Sequence, residues 1–154
     1  MSVTTGVISE RSSRFLEEGE TVRRVYLAQG GINPWAQVGF FVAGLVLVRV
    51  VAMAAGADGN LGLFGGVLGG VLGAAVAAAL TTRRVVAVTD RAVLLLSYGR
   101  FGAVKPNSVV ARLPKGTRIG ELSGTWAKTE IAGEKLWIHK KWHGDAAAFE
   151  PRIG

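Results

Sequence analysis

A run of aromatic and basic residues near the C-terminus carries the side chains best suited to binding another molecule. Residues 137–143 read WIHKKWH. Tryptophan rings with neighbouring cations suit a bilayer interface, where the ring lies at headgroup depth and the cation meets a phosphate. The same pattern suits stacking on single-stranded nucleic acid. A third interpretation is that Trp142 and Trp137 pack in the core of a small sheet, with Lys140 and Lys141 as ordinary surface residues.

Catalytic and metal-binding patterns are missing from the sequence. His139 and His143 are four residues apart, but they lie on or beside a predicted strand, and no Asp, Glu or Cys set completes a metal site. The chain has no cysteine. It also lacks a phosphate-binding Gly-Lys-Ser/Thr loop after a strand and a convincing Ser/His/Asp set. The sequence therefore predicts no metal, no cofactor and no enzymatic activity.

The most apolar stretch predicts a membrane helix built for close packing. Residues 61–80 are uncharged and have the sequence LGLFGGVLGGVLGAAVAAAL. A helix of that length spans about 30 Å, the thickness of the hydrocarbon core of a bilayer. Its glycines form two rows at four-residue intervals, which would let another helix approach closely. These predicted helix-packing residues are Gly62, Gly66 and Gly70 in one row and Gly65, Gly69 and Gly73 in the other.

Three packing partners are possible for these glycine rows. They could pack against the first span of the same chain, mediate self-association, or receive a helix of another protein. That first span is predicted over residues 35–55, where Gln37 and Arg49 are the only interruptions. The linker 56–60 has turn chemistry and is so short that the two spans must form an antiparallel hairpin. The alternative is a pair of buried helices in a soluble protein.

Two residues of the first span have predicted interfacial roles. Trp35 follows Asn33-Pro34, a typical helix start, at the position of an aromatic anchor. Arg49 lies toward the far end of the span. Its side chain could snorkel to the headgroups, pair with Asp58, or contact an acidic group of a partner or a lipid phosphate.

The basic residues predict the orientation of the hairpin. Arg23 and Arg24 precede it, and Arg83 and Arg84 follow it, whereas the linker carries no positive charge. By the positive-inside rule both termini are cytoplasmic in a multi-pass protein of the inner membrane. Residues 83–154 hold thirteen Lys or Arg against six Asp or Glu, which is the whole net charge of +7. A basic domain tethered to a bilayer faces anionic lipid, and nucleic acid is the less favoured partner.

Outside the spans the hydrophobic pattern predicts strands. They are expected over residues 21–28, 107–113, 126–131 and 135–142, with a hairpin over 83–97 that turns at 89–91. In the last strand Leu136, Ile138 and Trp142 should share one face, with Trp137, His139 and Lys141 on the other.

These elements together predict an α+β membrane protein. Its two-helix transmembrane hairpin is inserted in a small antiparallel sheet or partial barrel. The expected domains are a disordered or loosely ordered segment 1–14, a first strand region 15–33, the hairpin 34–82 and a basic β-rich cytoplasmic domain 83–154.

Two short motifs carry a family resemblance. Leu16-Glu17-Glu18-Gly19-Glu20 resembles the opening "leucine, two variable residues, glycine-glutamate" of bacterial pleckstrin-homology-like membrane proteins, and Val86-Ala87-Val88-Thr89-Asp90-Arg91 resembles their strand and Thr-Asp-Arg hairpin. The resemblance spans residues 15–142. It implies a pleckstrin-homology-like sheet used for binding or scaffolding, and it implies no catalytic residue. Such a fold usually closes with a helix, for which only residues 145–150 remain here.

The favoured functional hypothesis is a non-enzymatic membrane component. It would assemble through its glycine-rich helix with itself or with a larger membrane complex, while its basic domain contacts anionic lipid or a partner protein. One alternative is a lipid-sensing module without a fixed protein partner, and another is an accessory subunit of a lipid-modifying enzyme. The residues predicted to lie at the membrane interface or to bind lipid are Trp35, Arg49, Arg83, Arg84, Trp137, Lys140, Lys141 and Trp142.

Overall fold

The fold is α+β and consists of two units. The computed structural model describes residues 3–57, 59–99, 104–117 and 119–147. One unit comprises residues 1–30 and 82–154, and the other comprises residues 31–81. The first is built on a six-stranded antiparallel open sheet, and the second consists of two long apolar helices packed together. In chain order the elements are α1 (Val3–Ser12), β1 (Val22–Gly31), α2 (Pro34–Ala54), α3 (Gly59–Ala79), β2 (Thr81–Thr89), β3 (Ala92–Tyr98), β4 (Pro106–Pro114), β5 (Trp126–Ile131), β6 (Glu134–His139) and α4 (His143–Ala147).

The sheet has the strand order β4-β3-β2-β1-β6-β5. The pair β2–β3 is a tight hairpin in which Val88 lies opposite Val93. The pair β5–β6 turns at Ala132 and Gly133, whose φ angles are 56° and 75°. Two successive positive φ angles match the twist of a two-residue hairpin. The turn predicted at 133–134 therefore lies one residue earlier, and Glu134 is the first residue of β6.

Both faces of the central strands are buried. Five successive residues are buried at the end of β2 and five at the start of β3. This explains why residues 85–88 and 92–96 are continuous runs of Val, Leu and Ala instead of alternating apolar and polar residues. One core packs Tyr26, Val86 and Leu95 with Trp142, and the opposite core packs Val25, Val85 and Leu94 with Ile8 of α1.

The prediction that residues 1–14 are disordered or loosely ordered is wrong for the described part of this segment. Residues 3–12 form α1, in which the side chain of Ile8 is 2% exposed and contributes to the core. The hydroxyl of Ser12 is buried and donates to the carbonyl of Ile8 at 2.8 Å. The large apolar residues of α1 are Val3, Val7 and Ile8, which are too few to define an apolar helix face in this polar stretch, so tertiary burial decides this element.

The predicted last strand is too long. The strand β6 ends at His139, and Lys140–Trp142 form a turn of 3-10 helix. Nδ1 of His139 accepts the backbone N–H of Lys141 at 3.3 Å and caps this turn. Trp142 therefore does not share a strand face with Leu136 and Ile138 as predicted, but the turn places it in the same core as these two residues. The closing helix α4 already begins at His143, and residues 148–150 of the predicted cap lie outside the described part.

The two motifs that carry the family resemblance lie against each other. The Thr89 hydroxyl donates to Oε1 of Glu20. Its oxygen also accepts a hydrogen bond from the N–H of Ala92 at 2.8 Å, which stabilises the β2–β3 turn. The neighbouring backbone pairs Thr21 with Asp90: the N–H of Thr21 donates to Oδ1 of Asp90 at 2.9 Å, and the N–H of Asp90 donates to the carbonyl of Thr21 at 3.1 Å. The motifs thus form a clamp between the start of β1 and the β2–β3 turn.

Glu20 is the buried carboxylate of this clamp. Its side chain has no exposed surface, and its Oε2 accepts from Arg112 of β4 at 2.9 Å and from the N–H of Glu17 at 3.0 Å. Burial by itself raises the pKa of Glu20, but the hydrogen bonds from Thr89, Glu17 and Arg112 outweigh it and hold the pKa below its ordinary value of 4.5. The carboxylate therefore stays ionised at neutral pH and connects β4 to the start of β1.

This geometry predicts an acid-sensitive sheet unit. Because the pKa of Glu20 is lowered by folding, its contribution to stability is complete above about pH 4.5 and is lost as the pH falls through the folded-state pKa. The change Glu20→Gln should lower the free energy of unfolding at neutral pH by about 2 kcal/mol, the range for a hydrogen bond to a charged group. It should also flatten the decline in stability below pH 4.5. Denaturant unfolding of the purified chain in detergent at several pH values measures both effects.

The matched control is Glu17→Gln. Glu17 also contacts Arg112, at 3.2 Å, but its side chain is 64% exposed. This variant should retain the acid-dependent decline and nearly the full neutral-pH stability. Equal effects of the two variants would contradict the role assigned to Glu20.

Candidate functional site

The helices α2 and α3 pack through their backbones at glycines. A side chain at Gly69 would overlap the carbonyl oxygen of Gly44, and one at Gly44 would overlap the carbonyl oxygen of Gly69. A side chain at Gly73 would overlap the carbonyl oxygen of Phe40. Only hydrogen fits at these positions, so glycine is required for the close approach. These residues form the glycine seam of the hairpin.

The remaining predicted glycines also face α2 or the linker. A Cβ at Gly70 would lie 2.9 Å from the ring of Phe41, one at Gly66 would lie 3.6 Å from the carbonyl oxygen of Leu45, and one at Gly65 would lie 3.5 Å from Cβ of Ala52. Gly62 is looser, with the carbonyl oxygen of Ala57 at 3.8 Å. Both predicted rows therefore pack within the chain, which is the first of the three alternatives. The described surface of α3 offers no glycine row to a second helix.

Large apolar side chains cover the outside of the helical unit. No residue in the most apolar window of α2 is buried, and only 33% of the residues in that of α3 are buried. The mean hydropathy of these windows is 2.0 and 1.9. The most exposed of the large residues include Leu47, Met53, Phe64, Leu68 and Leu72. Such a surface requires an apolar surrounding or an apolar partner.

Two predicted interfacial residues lie on α2. Trp35 lies in the first turn of α2 and is 64% exposed. Its backbone N–H donates to Oδ1 of Asn33 at 2.9 Å, so the predicted helix start at Asn33-Pro34 is confirmed. Arg49 is exposed on the helix, and its Cβ lies beside Gly66. Its proposed partner Asp58 lies outside the described residues.

The seam gives a prediction about single glycines. Gly69→Ala should lower the thermal stability of the hairpin in detergent, because the new Cβ overlaps the backbone of Gly44. The control Gly39→Ala lies on α2 with nothing within 4 Å of its Cβ and should be neutral or slightly stabilising, since alanine is favoured over glycine in a helix by about 1 kcal/mol. Thermal melting followed by circular dichroism measures the difference. A Gly69→Ala variant as stable as Gly39→Ala would contradict the seam.

Arg83 and Arg84 have different surroundings because successive strand residues point to opposite faces. Nε of Arg84 pairs with Oε2 of Glu134 at 2.9 Å, and the Thr82 hydroxyl donates to Oε1 of the same carboxylate at 3.0 Å. The bridge runs from β2 to β6 across Gly30 of β1, where any Cβ would overlap both Glu134 and Thr82. Arg84, predicted to meet lipid, is thus neutralised within the sheet unit. Arg83 is exposed on the opposite face.

The predicted aromatic and basic run is also divided between the faces. Trp142 lies in the core, and the ammonium of Lys141 stands 5.3 Å from the centre of its ring. On the other face, the ring of His139 meets that of Trp126 at 4.8 Å in an edge-to-face arrangement. Trp137 is half-buried opposite Gln29, and Lys140 is exposed.

Part of this face forms a concave site that we call the Arg83–Lys141 pocket. It has a volume of about 330 Å³. Its floor comes from β1, β2 and β3, and its wall comes from β5, β6 and the 3-10 turn. The polar and aromatic residues that line it include Gln29, Arg83, Tyr98, Trp126, His139 and Lys141. No carboxylate is among its described lining residues.

Three of these lining residues were missed by the sequence analysis. Gln29, Tyr98 and Trp126 come from separate strands, and only the strand order brings them beside Arg83 and Lys141. A usable signal was Gln29, a polar side chain in a strand whose neighbouring positions are apolar. Locating the pocket also requires the pairing of β1 with β6, which single-sequence patterns do not provide.

Both histidines are engaged with the backbone. Nδ1 of His139 accepts from Lys141, and Nε2 of His143 lies 3.1 Å from the carbonyl oxygen of Ile138. Within the described residues, no three His, Cys, Asp or Glu side chains are grouped closely enough to hold a metal ion. The geometry of this unit thus offers a cationic and aromatic binding surface.

Comparison with known proteins gives no relative: no family model, curated protein or solved structure matches this chain.

Proposed function

We propose that this protein is a non-enzymatic integral membrane component of the inner membrane. Its helical hairpin spans the bilayer, and its basic sheet unit contacts anionic lipid headgroups on the cytoplasmic side. The observation that carries the proposal is the outward-facing apolar surface of both helices.

The exposure of the helices argues against a soluble protein. A core helix of a soluble domain is buried over most of its apolar surface, whereas the apolar window of α2 has no buried residue. The largest apolar patch on a soluble monomer is about 300–600 Å². Two 21-residue helices, each about 30 Å long and apolar around its outer side, far exceed such a patch. Their length instead matches the hydrocarbon core of a bilayer.

The distribution of charge supports a cytoplasmic sheet unit. Residues 83–154 carry the whole surplus of positive charge, and Arg83 follows the last residue of α3 by four positions. Juxtamembrane basic residues favour the cytoplasmic side and attract anionic lipid, by about 1 kcal/mol for each Lys or Arg near the surface. The same argument supports lipid as the partner ahead of nucleic acid.

Assembly of the protein with itself or with a larger complex was predicted to use the glycine rows of α3, and it would need a different surface of the hairpin. Because the glycine rows pack against α2, a further helix would have to pack on the large side chains outside the seam. Those side chains fit acyl chains equally well, since lipid tails are as apolar as leucine. Lipid contact is therefore the simpler function, and no convergent catalytic set among the described residues favours an enzyme.

Membrane integration can be tested by extraction. Alkaline carbonate should leave the full chain in the membrane pellet, because the hairpin is held by its apolar surface and not by charge. The double change Leu68→Arg and Leu72→Arg, at side chains that are each 63% exposed near the middle of α3, should move much of the protein to the soluble or aggregated fraction. Each arginine costs about 3 kcal/mol at the centre of a span.

The matched control places the same charges on the sheet unit. Val109→Arg and Val110→Arg change exposed residues of β4 and should leave the protein in the pellet. Release of the wild-type chain by carbonate would overturn the proposal.

A further inference from the structure

We propose that the Arg83–Lys141 pocket binds the phosphate of a single anionic phospholipid headgroup. This inference deepens the proposed function and rests on it, since it adds a defined site to a general attraction between a basic unit and an anionic surface. The site lies on the sheet face opposite the Arg84–Glu134 bridge, and its described lining residues include none of the Glu20 clamp.

The cations of the pocket are available to an anion. Arg83 is exposed, and no carboxylate lies among the described residues that line the pocket with it. The neighbouring Arg84 is not available in this way, because it lies on the opposite face and is paired with Glu134. Lys141 is also exposed and holds its ammonium over the Trp142 ring. A guanidinium can bind phosphate in a bidentate manner, and an ammonium adds a mobile point charge.

Neutral donors accompany the two cations. Burial raises the pKa of the Tyr98 hydroxyl, and nearby Arg83 opposes this only in part, so the hydroxyl remains protonated at neutral pH and can donate a hydrogen bond. Nε2 of Gln29 is buried and has no hydrogen-bond partner among the described residues. An unpaired buried donor costs about 1–3 kcal/mol, which a rotation of the amide toward a bound acceptor would offset.

The aromatic wall favours an amphiphile over bare phosphate. The rings of Trp126 and His139 meet edge to face, and Trp142 and Leu27 also line the pocket. Tryptophan rings prefer the boundary between polar headgroups and apolar chains. The volume of about 330 Å³ is at the lower end of the range for small-ligand sites and suits one headgroup.

Chain connectivity also favours a lipid. Arg83 lies four residues after Ala79 of α3, and Gln29 lies five residues before Pro34 of α2. Four extended residues span at most about 14 Å, so the covalent chain cannot carry Arg83 far from the end of a membrane span. A lipid headgroup at the bilayer surface is therefore a ligand within reach.

The test uses the full chain labelled with fluorotryptophan in lipid nanodiscs. The chain has four tryptophans, whose fluorine resonances can be assigned by single Trp→Phe changes. The discs contain either phosphatidylcholine alone or phosphatidylcholine with a minor share of phosphatidylglycerol. We expect the Trp126 resonance to shift with increasing phosphatidylglycerol and to saturate. In the double variant Arg83→Gln, Lys141→Gln that shift should be lost.

The control double variant Lys105→Gln, Lys115→Gln removes the same charge at exposed positions outside the pocket and should keep the shift. Circular dichroism melting establishes that both variants are folded. Equal shifts in the two variants would overturn the pocket and leave only general surface attraction. Loss of the shift in both would overturn it too. A second arm adds inorganic phosphate or glycerol phosphate to phosphatidylcholine discs, and a Trp126 shift there without a response to phosphatidylglycerol would overturn the lipid source.

The experiment separates this inference from the proposed function. If the chain does not co-elute with the nanodiscs, membrane integration fails. If it co-elutes but Trp126 does not respond to phosphatidylglycerol, only the pocket inference is overturned.

Discussion

The close approach of α2 and α3 determines which side chains lie inside the helical unit and which lie on its surface. At Gly44, Gly69 and Gly73 the helices meet backbone to backbone, with no room for a methyl group. Small residues therefore occupy the inside of the pair, and nearly all large apolar side chains are directed outward. A two-helix unit of this kind has too little interior to bury those side chains. It needs an apolar surrounding, and this need connects the seam to the proposed place in a bilayer.

The helical hairpin is inserted in the chain between β1 and β2 of the sheet unit. β1 and β2 are neighbours in the sheet although the two helices separate them in sequence. Two carboxylates form polar bridges between the strands. Glu20 binds Thr89 and Arg112. Glu134 binds Thr82 and Arg84 across Gly30 of β1. These two carboxylates pair with Arg112 and Arg84, which are therefore structural residues of the unit. They leave Arg83 and Lys141 as the cations of the pocket.

The elements with strong periodicity were predictable, whereas the site was only partly so. The two long helices, the β2–β3 hairpin and β5 follow from apolar runs and turn residues that leave few alternatives. The helix α1 and the turn after His139 were not predictable, because each depends on one residue, Ile8 or Trp142, entering a core formed by distant strands. Arg83 and Arg84 are adjacent and chemically identical, so only the strand register distinguishes the pocket residue from the bridge residue. The family resemblance stays a prediction, although its two motifs have a structural explanation in the clamp.

The central claim is that the hairpin crosses the bilayer with its loop outside and the sheet unit in the cytosol. The chain contains no cysteine, so single cysteines can be introduced at Asn60 in the first turn of α3 and at Ser108 on the exposed β4 edge without background. A membrane-impermeant maleimide applied to intact cells should label Asn60→Cys and should label Ser108→Cys only after the cells are opened. Labelling of both in intact cells, or of neither until the cells are opened, would contradict the account.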